Sequence, residues 1–193
     1  MATHPENTLP GFLYAIEAGA DGVELDIAVG PGESLLVTHD PPVTGRDYPS
    51  LDDVLALDAP PAFVFDIEAK GIVPASLLLD AIRRSRQHGL IVRSFLHDNL
   101  RALHAIAPEI MLAALIESRN VRDWTEIANA AGASIISPHY SVATQEKVGR
   151  AHAAGIGVSV WTVNDPADWR RMADMGVDFI ITNDPAAAVR YFK

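Results

Sequence analysis

The sequence predicts an α/β chain folded as a (β/α)₈ barrel that lacks its first strand. Three observations carry that reading. Short runs of branched apolar residues alternate with amphipathic stretches along the chain, and the later runs recur at the length of one strand–helix unit. Acidic residues and a lysine sit toward the C-terminal ends of two runs, the edge on which a barrel builds its site, whereas an open sheet would offer glycine-rich turns instead.

The first element is a helix over NTLPGFLYAIEAG (7–19). Strand runs follow at GVELDIAV (22–29), SLLVTHD (34–40), AFVFDIEA (62–69), LIVRSF (90–95), IMLAALI (110–116), SIISP (134–138), GVSVWTV (157–163) and DFIITN (178–183). SLLVTHD follows its predecessor too closely for a helix to intervene, so it extends that strand and carries His39, which leaves at most seven barrel positions. VPASLLLDAIRRSRQHG (73–89), SVATQEKVGRAHAAG (141–155) and DPADWRRMADMG (165–176) are amphipathic, and their final glycines read as helix stops. From Ile91 the runs begin at 91, 111, 134, 157 and 178, a spacing of roughly twenty to twenty-three residues that fits one strand, one helix and two short loops. Two joints share Asn-Asp-Pro, where Asp165 and Asp184 can cap helices whose first residue is proline. The glycines of GIG (155–157) lack a third partner and precede a strand instead of following one, so they are not a dinucleotide fingerprint.

Composition narrows the function. With 193 residues, 49% hydrophobic and 21% charged, the chain can bury one core, and a single domain over 1–193 is expected. Fifteen basic against 25 acidic residues give a net charge of −10 with no run of five like charges, which disfavours nucleic acid as a partner. Cysteine is absent, so thiolate chemistry and disulfides are excluded and only oxygen and imidazole ligands remain. MATHPENTLPGF has neither a basic flank nor an apolar core, and no later segment is apolar for long enough to span a bilayer. The expectation is a soluble, cytoplasmic protein without stable membrane insertion.

Glu24 and Asp26 share one face of their strand, and Asp66, Glu68 and Lys70 share one face of theirs. A buried carboxylate without a partner costs several kcal/mol, so something must hold these charges. Two readings stand at this point. A hard divalent cation, Mg²⁺ or Ca²⁺, suits carboxylates converging at a barrel mouth. An internal salt-bridge network around Lys70 is the other, although one lysine cannot balance four acids.

PENTLPGFLYAIEAGADGVELDI, LLVTHDPP, FDIEAKG and GIGVSVWTVNDPADWRRMADMGVDFIITNDP, in that order from Pro5 to Pro185, resemble the glycerophosphodiester phosphodiesterase family of metal-dependent, phospholipase C-like TIM barrels. The resemblance implies metal ligands at Glu24, Asp26 and Glu68, a catalytic histidine at His39, a phosphate-contacting lysine at Lys70 and a substrate-binding aromatic at Trp161. It further implies that a neighbouring glycerol hydroxyl attacks phosphorus, that His39 protonates the departing alkoxide, and that water then opens a cyclic phosphate. Trp161, inward-facing with Ser159 and Val163, would pack on the glycerol carbons.

Family members open with a strand ending in His-Arg-Gly shortly before the P-E-N-T stretch. Here only Met1, Ala2, Thr3 and His4 precede Pro5, so the first strand, a second histidine and an arginine clamp are expected to be missing. The accompanying expectations are that Met1 is an internal methionine of a longer enzyme or the chain has been trimmed, that activity is weakened or lost, and that open barrel edges invite a homo-oligomer. The link PPVTGRDYPSLDDVLALDAPP is short where many members carry a longer lobe, which leaves the site more open. A Schiff-base aldolase using Lys70, one of three lysines, is a further alternative. His97 and His139 follow strands and read as loop residues, His4 likewise. His88, His104 and His152 read as surface residues. Asp66 fits either the cation's surroundings or an interior layer, Asp40 orients the His39 loop, and Glu6 and Asn7 fix the start of the first helix.

Overall fold

The structure is a computed structural model and describes residues 4–87, 89–117 and 123–193. His88 lies outside the described residues. Helix α1 (Leu9–Glu17) leads into β1 (Gly22–Val29), which turns back through a short 3₁₀ segment into β2 (Leu35–Val37). There follow α2 (Leu51–Leu55), β3 (Val64–Ala69), α3 (Ala75–Arg84), β4 (Gly89–Ser94), α4 (His97–Ile106), β5 (Met111–Ile116) and α5 (Trp124–Ala131). The chain ends with β6 (Ile135–Pro138), α6 (Gln145–Ala153), β7 (Gly157–Val160), α7 (Pro166–Asp174), β8 (Phe179–Ile180) and α8 (Pro185–Phe192).

The strand order is β2-β1-β3-β4-β5-β6-β7-β8, with every pair parallel except β1 and β2. Seven parallel strands therefore form a curled sheet with its helices outside. SLLVTHD does not extend β1: the turn at Pro31–Glu33, with Gly32 at φ 66°, reverses the chain, and β2 pairs antiparallel with β1. Among the described residues no strand lies between β8 and β1. A cleft of about 890 Å³ occupies that seam, bounded by α1, β1, β8 and α8, and reaches Glu24, Asp26 and Asp66 from the side. The barrel lacking one strand is thus what the chain forms.

Two apolar cores lie on opposite sides of the sheet. The larger joins the outward residues of the strands, such as Leu25, Ile27, Phe65, Ile67 and Leu112, to the inner faces of the helices. The smaller is an inward layer of Ile91, Ala113 and Ile135 packed on Val64, which closes the barrel below the polar site.

The helix signals act as their chemistry dictates. Asp165 Oδ1 accepts from Ala167 N at 2.7 Å and Asp184 Oδ1 from Ala187 N at 3.0 Å, each cap preceding a proline. Gly155 (φ 74°) and Gly176 (φ 78°) supply the left-handed stops after α6 and α7. Gly89 differs from its reading as a helix stop. Helix α3 ends at Arg84, and Gly89 opens β4 where a Cβ would meet the Phe63 carbonyl oxygen at 2.4 Å, so close strand approach selects that glycine.

Candidate metal and phosphoryl site

The parallel register of β1 and β3 sets Glu24 opposite Asp66 and Asp26 opposite Glu68. One more step puts Arg93 of β4 opposite Glu68. Because side chains alternate across a strand, all five enter the barrel together. A ligand oxygen from each of Glu24, Asp26 and Glu68 lies within 4.8 Å of the others.

Two cations stand against these acids. Lys70 Nζ lies 2.6 Å from Glu68 Oε1 and 3.1 Å from Asp26 Oδ1. Arg93, only 1% exposed, forks onto Asp66, with Nε 2.6 Å from Oδ1 and Nη2 on Oδ2. The same guanidinium reaches Ser137 Oγ at 3.4 Å and Ser159 Oγ at 3.2 Å, so one side chain ties together strands β3, β4, β6 and β7. The two readings of the charges, cation site and salt-bridge network, therefore meet in the same place.

The balance still favours a site for added positive charge. With all four carboxylates ionised, Lys70 and Arg93 leave two negative charges over, the charge of one divalent cation. Glu24 makes no ion pair among the described residues. Burial, and next the Asp26 carboxylate, push the Glu24 carboxyl up to about 8. Burial also raises Asp66 and Glu68 against the opposing pull of Arg93 and Lys70. Burial pulls the Lys70 ammonium down, but Glu68 and Asp26 outweigh it and the net direction is up. That is opposite to what a Schiff-base lysine needs, and the aldolase reading loses its support.

The oxygen-only, three-carboxylate set fits Mg²⁺ or Ca²⁺ in ligand chemistry. Without a cation, the native state holds a proton on Glu24 that the unfolded chain has already released. Stability of the metal-free protein is therefore expected to fall as pH rises from about 4.5 toward about 8. Denaturant unfolding at several pH values should show that slope, and saturating divalent cation should flatten it.

His39 follows β2 on an exposed loop, its Nδ1 3.0 Å from Asp40 Oδ1. Thr38 N donates to Asp26 O at 2.9 Å, which fastens the start of this loop beside a carboxylate of the cluster. Asp40 meets the His39 ring and stands outside the acidic cluster. Trp161 lies just past the end of β7, where its Nε1 donates to Ser137 O at 3.0 Å. Its ring meets Phe95 and His139 at centroid distances of 5.5 and 5.2 Å, so its described ring contacts are aromatic and none is to the acids.

The other described histidines have structural partners. His97 Nε2 donates to Leu115 O, His139 Nδ1 accepts from Ser141 N, and His152 pairs with Asp178. His104 packs against Gly132. His4 stacks on Tyr14 beside the seam.

Two positioning residues escaped the sequence reading. Asn7 is not the helix cap; Thr8 is. Asn7 instead adopts φ 57°, its Nδ2 donating to Asp26 Oδ2 at 2.8 Å while its Oδ1 accepts from Asp26 N at 2.9 Å. It holds Asp26 from the side of the seam. Arg93 looked like an ordinary residue of a strand run, and its only signal was a charge amid LIVRSF. Replacing Arg93 by Met is expected to cost ~3–5 kcal/mol, because it strands Asp66 beside Glu24. The double variant Asp66→Leu/Arg93→Met should recover most of that loss in urea unfolding, and equal losses in single and double variants would refute the pairing.

By its fold such a barrel belongs to the class of TIM-barrel enzymes, and the carboxylates and lysine at the ends of its strands form a candidate site for a divalent cation. Comparison makes the assignment specific. The model of the Glycerophosphoryl diester phosphodiesterase family matches residues 1–67 and 59–187, and the chain belongs to that family. A glycerophosphodiester phosphodiesterase of Caldanaerobacter subterraneus subsp. tengcongensis is 30% identical over 98% of this chain and 93% of its own length. The solved glycerophosphodiester phosphodiesterase of Thermotoga maritima is 25% identical with a TM-score of 0.83, covering 98% of this chain and 93% of that one. An Oleispira antarctica phosphodiesterase, solved with its product sn-glycerol 3-phosphate, shares the fold at a TM-score of 0.86 and 17% identity, covering 97% of this chain and 91% of that one. Among the described residues no helix is long and apolar enough to cross a membrane.

Proposed function

We propose that this chain hydrolyses glycerophosphodiesters to sn-glycerol 3-phosphate and an alcohol, with one Mg²⁺ or Ca²⁺ held by Glu24, Asp26 and Glu68. The observation that supports this most is the convergence of those three carboxylates with two negative charges unmatched. A divalent cation there supplies electrostatic stabilisation for charge developing on a phosphoryl group.

The chain's own residues supply the rest. Lys70 sits between Asp26 and Glu68 and can turn its ammonium to a phosphate oxygen once a cation takes up their charge. The neighbouring glycerol hydroxyl, releasing its proton to water, bonds to phosphorus as the phosphorus–oxygen bond to the alcohol breaks, His39 gives its proton to the departing alkoxide, and water then opens the cyclic phosphate. Trp161 and Phe95 offer an apolar wall for the glycerol carbons. Asn7 and Arg93 hold Asp26 and Asp66 in place.

The substrate is a soluble small molecule met in the cytoplasm, and the open edge of β8, with that of β1 ahead of its pairing with β2 at Ile27, favours association with a second copy. Light scattering at rising protein concentration tests the association, a purely monomeric protein being the contrary result. Hydrolysis of glycerophosphocholine and glycerophosphoethanolamine, with and without chelator, tests the activity. Turnover that is indifferent to chelation would overturn the metal assignment. Cation binding without turnover would leave a metal- and phosphate-binding barrel.

A further inference from the structure

Asn7 holds Asp26 at two points. Its Nδ2 donates to Asp26 Oδ2 at 2.8 Å and its Oδ1 accepts from Asp26 N at 2.9 Å, across 19 residues of chain. The Asp26 N–H points to the seam side of β1, where no strand lies among the described residues, so the Asn7 amide stands where the peptide group of a neighbouring strand would. The clamp is itself anchored. Asn7 sits at φ 57°, a conformation that asparagine tolerates better than most residues, and Thr8 beside it caps α1. On the far side Lys70 Nζ meets Asp26 Oδ1 at 3.1 Å, and Thr38 N donates to the Asp26 carbonyl. The two carboxylate oxygens are thus sorted: Oδ2 belongs to Asn7, and Oδ1 faces the positive charge between Asp26 and Glu68.

We infer that Asn7 is a selectivity-determining residue: by leaving Asp26 one free oxygen in a fixed orientation, it makes the carboxylate cluster prefer Mg²⁺ to Ca²⁺. The inference rests on the cation site proposed above. Mg²⁺ demands near-ideal geometry at short range and takes few carboxylate oxygens, whereas Ca²⁺ accepts about six to eight oxygens in flexible arrangements and often takes both oxygens of one carboxylate. Selectivity between the two ions therefore turns on the number and freedom of the ligands. Ca²⁺ could take both oxygens of Asp26 only by turning the carboxylate away from the Asn7 amide, which sacrifices a hydrogen bond. Among the described residues Glu24 makes no ion pair and Glu68 pairs with Lys70, so Asp26 is the ligand whose freedom the protein restricts most. The restriction comes from a side chain outside the cluster itself. Asn7 is thus a positioning residue, acting on the cation through Asp26.

Calorimetric titration with Mg²⁺ and, separately, with Ca²⁺ tests this on the wild type and on Asn7→Gly. Glycine keeps the positive φ and removes only the amide, and a melting curve checks the fold. The wild type is expected to bind Mg²⁺ more tightly than Ca²⁺. Removing a group that orients a metal ligand typically costs ~10–100-fold, and in Asn7→Gly that loss should fall on Mg²⁺, while Ca²⁺ gains the second Asp26 oxygen and holds its affinity. The ratio of Mg²⁺ to Ca²⁺ affinity should therefore drop by at least ~10-fold. Asn7→Asp carries the test should the glycine variant not fold. Aspartate tolerates the same backbone and can still accept from Asp26 N, but it has no donor for Oδ2, so the ratio should drop likewise. Equal weakening of both ions, a ratio unchanged in the folded variants, or a wild type that prefers Ca²⁺ overturns the inference and leaves the cation site standing. A wild type that binds neither ion overturns both.

Discussion

Calorimetric titration of Glu68→Gln with Mg²⁺ or Ca²⁺ is expected to show binding weakened by at least ~10²-fold, since loss of even an outer partner of a metal ligand typically costs 10–100-fold. Glu68 is the informative choice because it faces Asp26 across the β1–β3 pair and Arg93 across the β3–β4 pair, at the middle of the charged layer. The substitution keeps its size and removes one negative charge, while Lys70 retains Asp26 as a partner. The fold should therefore survive and the cation should not be held. Unchanged affinity in Glu68→Gln would remove this residue from the ligand set.

His39→Ala should lower the hydrolysis rate of glycerophosphocholine by ~10²–10⁴-fold with metal binding untouched, the usual cost of deleting a general acid. The loop is exposed and the described polar partner of the ring is Asp40, so melting temperature should barely move. A full rate in His39→Ala would show that another group, or water, protonates the leaving alkoxide. The two variants separate their roles: one abolishes cation binding, the other spares it and removes turnover.

Much of the frame was legible because it follows from periodicity. The eight apolar runs correspond to eight strands, with boundaries moved by a few residues at most ends, because buried parallel strands must be continuous apolar runs. The spacing between GVELDIAV and SLLVTHD excluded a helix, and the structure pairs these two antiparallel. The Asn-Asp-Pro joints named their own caps. Helix α3 was read too long, since polar residues after Arg84 continue a helical composition and give no local stop signal, while Gly89 answers to a carbonyl on a neighbouring strand.

The site divides along the same line. Alternation within one strand was enough to pair Glu24 with Asp26 and to align Asp66, Glu68 and Lys70, because that relation is local. Which acid faces which is a matter of register between β1 and β3, and register is decided by the packing of both strands at once. Arg93 shows the limit most plainly. Its sequence neighbours say only that a charge lies in a strand; its place in the barrel, forked onto Asp66 and within reach of Ser137 and Ser159, depends on three other strands. Asn7 needed the chain to fold back on β1 before its amide could reach Asp26. The sequence by itself determined the order of strands and helices and the chemistry available at their ends. The tertiary structure alone decided how the charges are shared, because electrostatic pairing acts across space and is silent along the chain.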